Sequence, residues 1–132
     1  MTSFPKKAIQ RELAPSPVGP YEQAILAGGW IYCSGQIGLD PSSGVMVGNG
    51  NVEEETKQVL RNLSAVLNEA GANASNIIKT NIYLVNLSDF NKVNKIYSDF
   101  FQAEICPARA CVEVSALPKG SLVEIDCVAC LG

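Results

Sequence analysis

The chain has 132 residues, of which 47% are hydrophobic and 17% charged, and it carries a formal net charge of −3. That length suits one domain over residues 1–132, with a core that needs no metal or disulfide staple, while the acidic balance leaves no excess of Lys and Arg to neutralise phosphates and speaks against a nucleic-acid partner. No apolar run approaches the roughly 20 residues of a membrane span, and a charged fraction below the usual ~25% suggests that another subunit covers part of the surface.

The chain contains five cysteines, Cys33, Cys106, Cys111, Cys127 and Cys130, and no histidine. Residues 1–7 show neither the apolar stretch of a secretory leader nor an Arg- and Ser-rich one. The expectation is free thiols in a reducing compartment, the cytoplasm, with the mitochondrion as the alternative. Cys127 and Cys130 form a Cys-x-x-Cys, but within a strand pattern and not at the entrance to a helix. Zinc would want a second pair of ligands. No metal and no cofactor are expected. Without histidine, Ser-His-Asp, Cys-His and histidine-based ribonuclease chemistry are excluded. Any general acid or base must be a carboxylate, Tyr, Lys, Cys or water.

In chain order, period-two alternation predicts strands at Ala8 to Gln10, Gln23 to Leu26 and Trp30 to Ser34. Gly28-Gly29 is read as a hairpin turn between the second and third. The proline-rich stretch Pro15 to Pro20 is a loop. A helix is expected from Val52 to Ala70, with Val52, Val59, Leu60, Leu63, Val66, Leu67 and Ala70 on one face. Asn51 is its N-cap, with Glu54 as capping-box partner. Glu53, Glu54 and Glu55 suit the positive end of its dipole, and Gly71 is its stop. A strand from Ile77 to Asn86 follows. A second helix is expected from Ser88 to Gln102, with an apolar stripe of Phe90, Val93, Tyr97, Phe100 and Phe101 read as core. Strands at Ala108 to Val114 and Leu122 to Cys130 close the chain, joined by a Pro118-Lys119-Gly120 hairpin turn. The order β-β-β-α-β-α-β-β predicts an α+β fold, a mixed sheet with both helices on one face.

The last two strands carry the chemistry. Ala108, Ala110, Val112 and Val114 are expected under the helices with Val123, Ile125, Cys127 and Ala129. Arg109, Cys111 and Glu113 would then share the uncovered face with Glu124 and Asp126. Such a mixed surface suits a homo-oligomer interface holding a polar pocket. Arg109 stands among short side chains that leave room for a ligand, and its planar fork suits a carboxylate. An ion pair with Glu124 or Glu113 is an equal alternative on the pattern alone.

Three stretches, with a fourth in support, resemble the reactive-intermediate deaminase (Rid, or YjgF) family. They are Gly19-Pro20-Tyr21 with Gln23; Ser34 through Pro41; and Pro107 through Val114 followed by Leu117 to Gly120 and Val123-Glu124-Ile125. Asn86 to Phe90, Val93-Asn94 and Tyr97 fit as well. The likeness runs through nearly the whole chain, within the branch that keeps the arginine (RidA-like). It implies a chorismate-mutase-like (bacillus-type) sheet, a homotrimer with pockets between subunits, and hydrolysis of 2-imino acids such as 2-iminobutanoate and 2-iminopropanoate to 2-keto acids and ammonia. On that likeness Arg109 would bind the substrate carboxylate, helped by the backbone at Cys111, and Glu124 would activate water. Tyr21 would close the pocket, while Ser34, Gly35 and Asn94 would line it. Each has a plainer reading: Tyr21 as a packed loop aromatic, Ser34 as a strand-end hydrogen bonder, Cys111 as a wall, and Asn94 as a solvated helix residue. Family members have also been described as RNA-cleaving translation inhibitors, and a chaperone-like role is a third reading.

Overall fold

The computed structural model describes residues 5–132, so the reading of the first residues lies outside it at residues 1–4. A six-stranded sheet has the order β1-β2-β3-β6-β4-β5. The strands are β1 (Lys7–Ile9), β2 (Ala24–Ala27), β3 (Trp30–Gln36), β4 (Ile77–Leu84), β5 (Ala108–Glu113) and β6 (Val123–Cys130). All neighbours are antiparallel except β4 and β5. The helices are α1 (Val52–Glu69) and α2 (Phe90–Phe100). Strand bounds fall within two residues of those expected.

Gly28 and Gly29 turn β2 into β3 with φ of 56° and 80°, the paired positive values that a two-residue hairpin of this hand requires. The Pro118–Gly120 segment does not do the same for the last two strands. It forms a single 3-10 turn, and β6 pairs with β3 and β4 instead of β5. The hairpin expectation fails because a local turn signal cannot say which strand fills the neighbouring place. The parallel pair β4–β5 needs a long crossover, which α2 supplies.

Asn51 caps α1, its Oδ1 accepting from the N–H groups of Glu53 (2.9 Å) and Glu54 (3.1 Å). The expected reciprocal bond from Glu54 does not form. The Asn51 N–H donates to the Gly48 carbonyl at 3.0 Å, and Glu54 pairs with Lys57 at 3.3 Å. The second helix is shorter than its period suggested. Leu87–Asp89 form a 3-10 turn before it, Asn86 accepting from the Ser88 N–H. Phe101 then leaves the helical region.

The core lies between the helices and one sheet face. Leu63, Val66 and Leu67 of α1 and Val93 of α2 meet Ile31, Ile82, Leu84 and Ile125, all nearly sealed from solvent. Burying each such side chain contributes about 1.5–3 kcal/mol. Two buried polar residues tie loops to this frame. Asn62 donates to the carbonyls of Ile37 (3.1 Å) and Leu39 (3.0 Å). Glu55 accepts from the Leu122 N–H at 2.8 Å, and burial pushes its carboxyl above the usual range. Among the described residues no layer covers the opposite sheet face, and Trp30, Tyr32 and Val112 are exposed on it.

Candidate functional site

The parallel register sets Arg109 beside Thr80 and Cys111 beside Ile82. Thr80 and Ile82 are buried under the helices, and register partners share a face. Arg109 and Cys111 therefore point to the helix side, contrary to the expectation that Ala108, Ala110 and Val112 lie under the helices. Ala108, Ala110 and Val112 are the exposed set on the open face. The reason is that β5 is the edge strand. The helix layer ends there, so its helix-side positions open at a rim where a guanidinium reaches water, and the alanines need no cover.

At that rim α2 presents Phe90, Asn94 and Tyr97, spaced four and three residues apart along one stripe. Arg109 Nη1 donates to Asn94 Oδ1 at 2.7 Å. Its Cζ lies 5.4 Å from the Phe90 ring centroid and 4.9 Å from that of Tyr97. The Tyr97 and Thr80 hydroxyls hydrogen-bond at 2.7 Å in the interior. Among the described residues, no Asp or Glu oxygen lies within salt-bridge distance of Arg109. The ion pair with Glu113 or Glu124 is absent, and Glu113 instead accepts from the Leu87 N–H at 2.8 Å. Cys111 shares a cleft with Leu87, Ser88, Phe90 and Asn91. Desolvation raises its thiol pKa, with Arg109 opposing, which disfavours the thiolate a nucleophile needs.

Glu124 stands on the open face, beside Tyr83 in the register. Desolvation, then the charge of Asp126, raise its pKa. Asp126 is itself held by Asn81 Nδ2 at 2.8 Å and by the Tyr83 hydroxyl at 3.1 Å. Gly35 makes the room: a Cβ there would sit 2.8 Å from Glu124 Cδ. Glu124, Gly35 and Tyr21 line one cleft with Pro15, Val18 and Pro118. The Tyr21 loop is pinned from below. Gln23 donates to the Ala14 and Pro15 carbonyls and accepts from the Arg11 N–H, and Ser34 Oγ donates to the Glu22 carbonyl.

The sequence-derived residues thus assemble into two groups on opposite faces of one sheet. Arg109, Cys111 and Asn94 form one; Tyr21, Ser34, Gly35 and Glu124 form the other. The first offers an uncompensated cation able to take a carboxylate in two parallel bonds. The second offers a carboxylate with raised basicity, suited to removing a proton from water. The apolar period alone assigns Phe90 and Tyr97 to the core. Their spacing against Asn94 on one helical stripe was the available signal, but it needed the position of β5 to acquire meaning. Among the described residues, no cluster of three His, Cys, Asp or Glu side chains is placed to hold a metal ion.

Comparison with known proteins follows the same outline. The family model described as Endoribonuclease L-PSP matches residues 11–131. A RutC family protein of Synechocystis is 54% identical over 125 residues, spanning 95% of this chain and 96% of its own. The human 2-iminobutanoate/2-iminopropanoate deaminase is 48% identical over all 132 residues and 95% of its own length. A Yersinia pestis structure described as a conserved Rid family protein of unknown function superposes with a TM-score of 0.92 at 48% identity, covering 96% of this chain and 99% of that one. Likeness of this depth along the whole chain, in sequence and in fold, makes the protein a member of the Rid (YjgF) family, whose matching model bears the Endoribonuclease L-PSP description.

Proposed function

We propose that this protein hydrolyses small 2-imino acids, 2-iminobutanoate and 2-iminopropanoate, to the 2-keto acids and ammonia, as the human relative's name states for that protein. The observation that carries the reading is Arg109: an exposed guanidinium beside a cleft, held by neutral groups and, among the described residues, without a carboxylate partner. The substrate carboxylate takes the open edge of the fork. A water adds to the C2 carbon of the protonated imine, and Glu124 accepts its proton. Glu124 returns that proton to the amine nitrogen of the resulting carbinolamine; the C–N bond then breaks as the hydroxyl proton passes to Glu124 and the carbonyl forms, and the departing ammonia takes that last proton and restores the carboxylate. The iminium is already electrophilic, so orientation and one base suffice. The reaction consumes only water.

Because Arg109 and Glu124 point away from each other in one chain, the reading requires a site shared between copies. Arg109 and Cys111 come from one subunit; Glu124, Gly35, Ser34 and Tyr21 come from its neighbour. A homotrimer, as the resemblance implies, provides this. The exposed apolar residues of the open face, Trp30, Tyr32 and Val112, are then the surface that neighbours cover. The five cysteines are all unpaired, as a reducing compartment such as the cytoplasm would keep them. An RNA-cleaving reading has the family description behind it, but it would act from a net charge of −3 and without histidine.

The test is a threonine dehydratase coupled to a semicarbazide trap. Added wild-type protein should suppress trapping of the released imine. Arg109→Ala should lose at least a hundredfold in kcat/KM, mostly in KM. Equal activity of the two would overturn the reading.

A further inference from the structure

Resting on that reading, we propose that the α2 stripe Phe90, Asn94 and Tyr97 is a positioning device that holds Arg109 in place without neutralising it, so that the substrate carboxylate meets an undivided positive charge. The ordinary way to fix an arginine is an ion pair. Here a carboxylate partner would occupy one edge of the fork and compete with the substrate. Two aromatic faces and an amide oxygen fix the group instead. Attraction to a ring quadrupole leaves the N–H edges free, and the amide accepts one N–H without bringing a charge. The Tyr97 ring is buried and its hydroxyl is tied to Thr80 at 2.7 Å, so one wall of the cradle is anchored in the core beneath β4. The spacing of 90, 94 and 97 lets a single helix supply all three contacts.

Electrostatics and plain hydrogen bonding predict opposite rankings at position 94. If Asn94 matters only as an acceptor, aspartate is a stronger one and should serve at least as well. If neutrality matters, Asn94→Asp should be worse than deleting the side chain.

The experiment measures 2-oxobutanoate binding by calorimetry, and imine hydrolysis, for wild type, Asn94→Ala, Asn94→Asp and Phe90→Leu. We expect Asn94→Asp to bind about tenfold more weakly than wild type and more weakly than Asn94→Ala, with KM raised in step and kcat within about threefold. A tenfold loss corresponds to about 1.4 kcal/mol. Phe90→Leu, which removes one aromatic face from a half-buried site, should weaken binding about threefold and covers the case in which Asn94→Asp does not fold. If Asn94→Asp binds as well as Asn94→Ala or better, or if Phe90→Leu binds like wild type, this proposal falls while the deaminase reading stands. If wild type neither hydrolyses imine nor binds 2-oxobutanoate, the deaminase reading falls and takes the proposal with it.

Discussion

A methyl group at position 35 is the sharpest probe of the Glu124 half-site. Gly35 does not have a positive φ, so alanine is acceptable to the backbone there. What alanine meets is the carboxylate: its Cβ would stand 2.8 Å from Glu124 Cδ, 3.0 Å from Cγ and 3.1 Å from Oε2. Carbon atoms in contact sit about 3.5–4.0 Å apart, so Glu124 must retreat by roughly 0.7 Å or more. A misplacement of about 1 Å at a reacting group costs on the order of a hundredfold. Gly35→Ala should therefore lower kcat by about 10- to 100-fold, or about 1.4–2.7 kcal/mol in the barrier. The substrate grip, Arg109, comes from the neighbouring subunit in the proposed site, and the nearest atoms a Cβ at position 35 crowds are those of Glu124, so KM should change less than about twofold. The displaced group is a half-exposed side chain, so Tm should stay within about 3 °C of wild type, less than a 1 kcal/mol loss would cause. The trapped-imine assay reads kcat and KM, with Glu124→Gln beside it. If Gly35→Ala keeps wild-type kcat while Glu124→Gln loses it, the steric reasoning is wrong. If both keep it, Glu124 is not the base.

Two further expectations concern pH. Glu124 must be ionised to act as a base, so the rate should rise with pH through its elevated pKa. Asp126→Asn removes the second cause of that elevation and leaves burial, the larger one, so the acidic limb of kcat should move down yet stay above an ordinary glutamate, about 4.3; a limb that stays put or moves up refutes this. For Glu55, a folded-state pKa raised by burial means that stability is fullest below the unfolded pKa and declines as pH rises through the folded one. Urea titrations between pH 4 and 8 should show that decline in wild type and a flatter profile in Glu55→Gln. Glu55→Ala, which orphans the Leu122 N–H, should cost about 1–3 kcal/mol, and a wild type that gains stability across this window would contradict the argument.

Much of the architecture was legible in local pattern, because α1 and the central strands obey their periods closely. Val59, Leu63 and Val66 could be assigned to the core, and Asn51 to the cap, without any tertiary knowledge. The site was legible in its members and not in its arrangement. Alternation gave the correct partition within β5, with Arg109 and Cys111 on one side and the alanines on the other. It could not say which side was covered, because small residues suit both a core and an edge that another chain will meet. Strand order decided the matter, and it follows from long-range pairing that no short window contains. The same limit hid the partnership of Phe90 and Tyr97 with Arg109. A half-buried aromatic over a guanidinium and one over a leucine have the same sequence signature.

The division of Arg109 and Glu124 between opposite sheet faces also has a consequence for inheritance. In the proposed ring every copy lends its arginine to one site and its glutamate to another. A copy that folds but lacks Arg109 silences a single site, whereas a copy that enters the ring with a disturbed open face spoils the two sites at its borders. In a cell making two versions of the chain, the mild-looking substitution at the rim would be partly masked. One that disturbs the open face around Tyr32 or Val112 would act in proportion to how often it enters a ring.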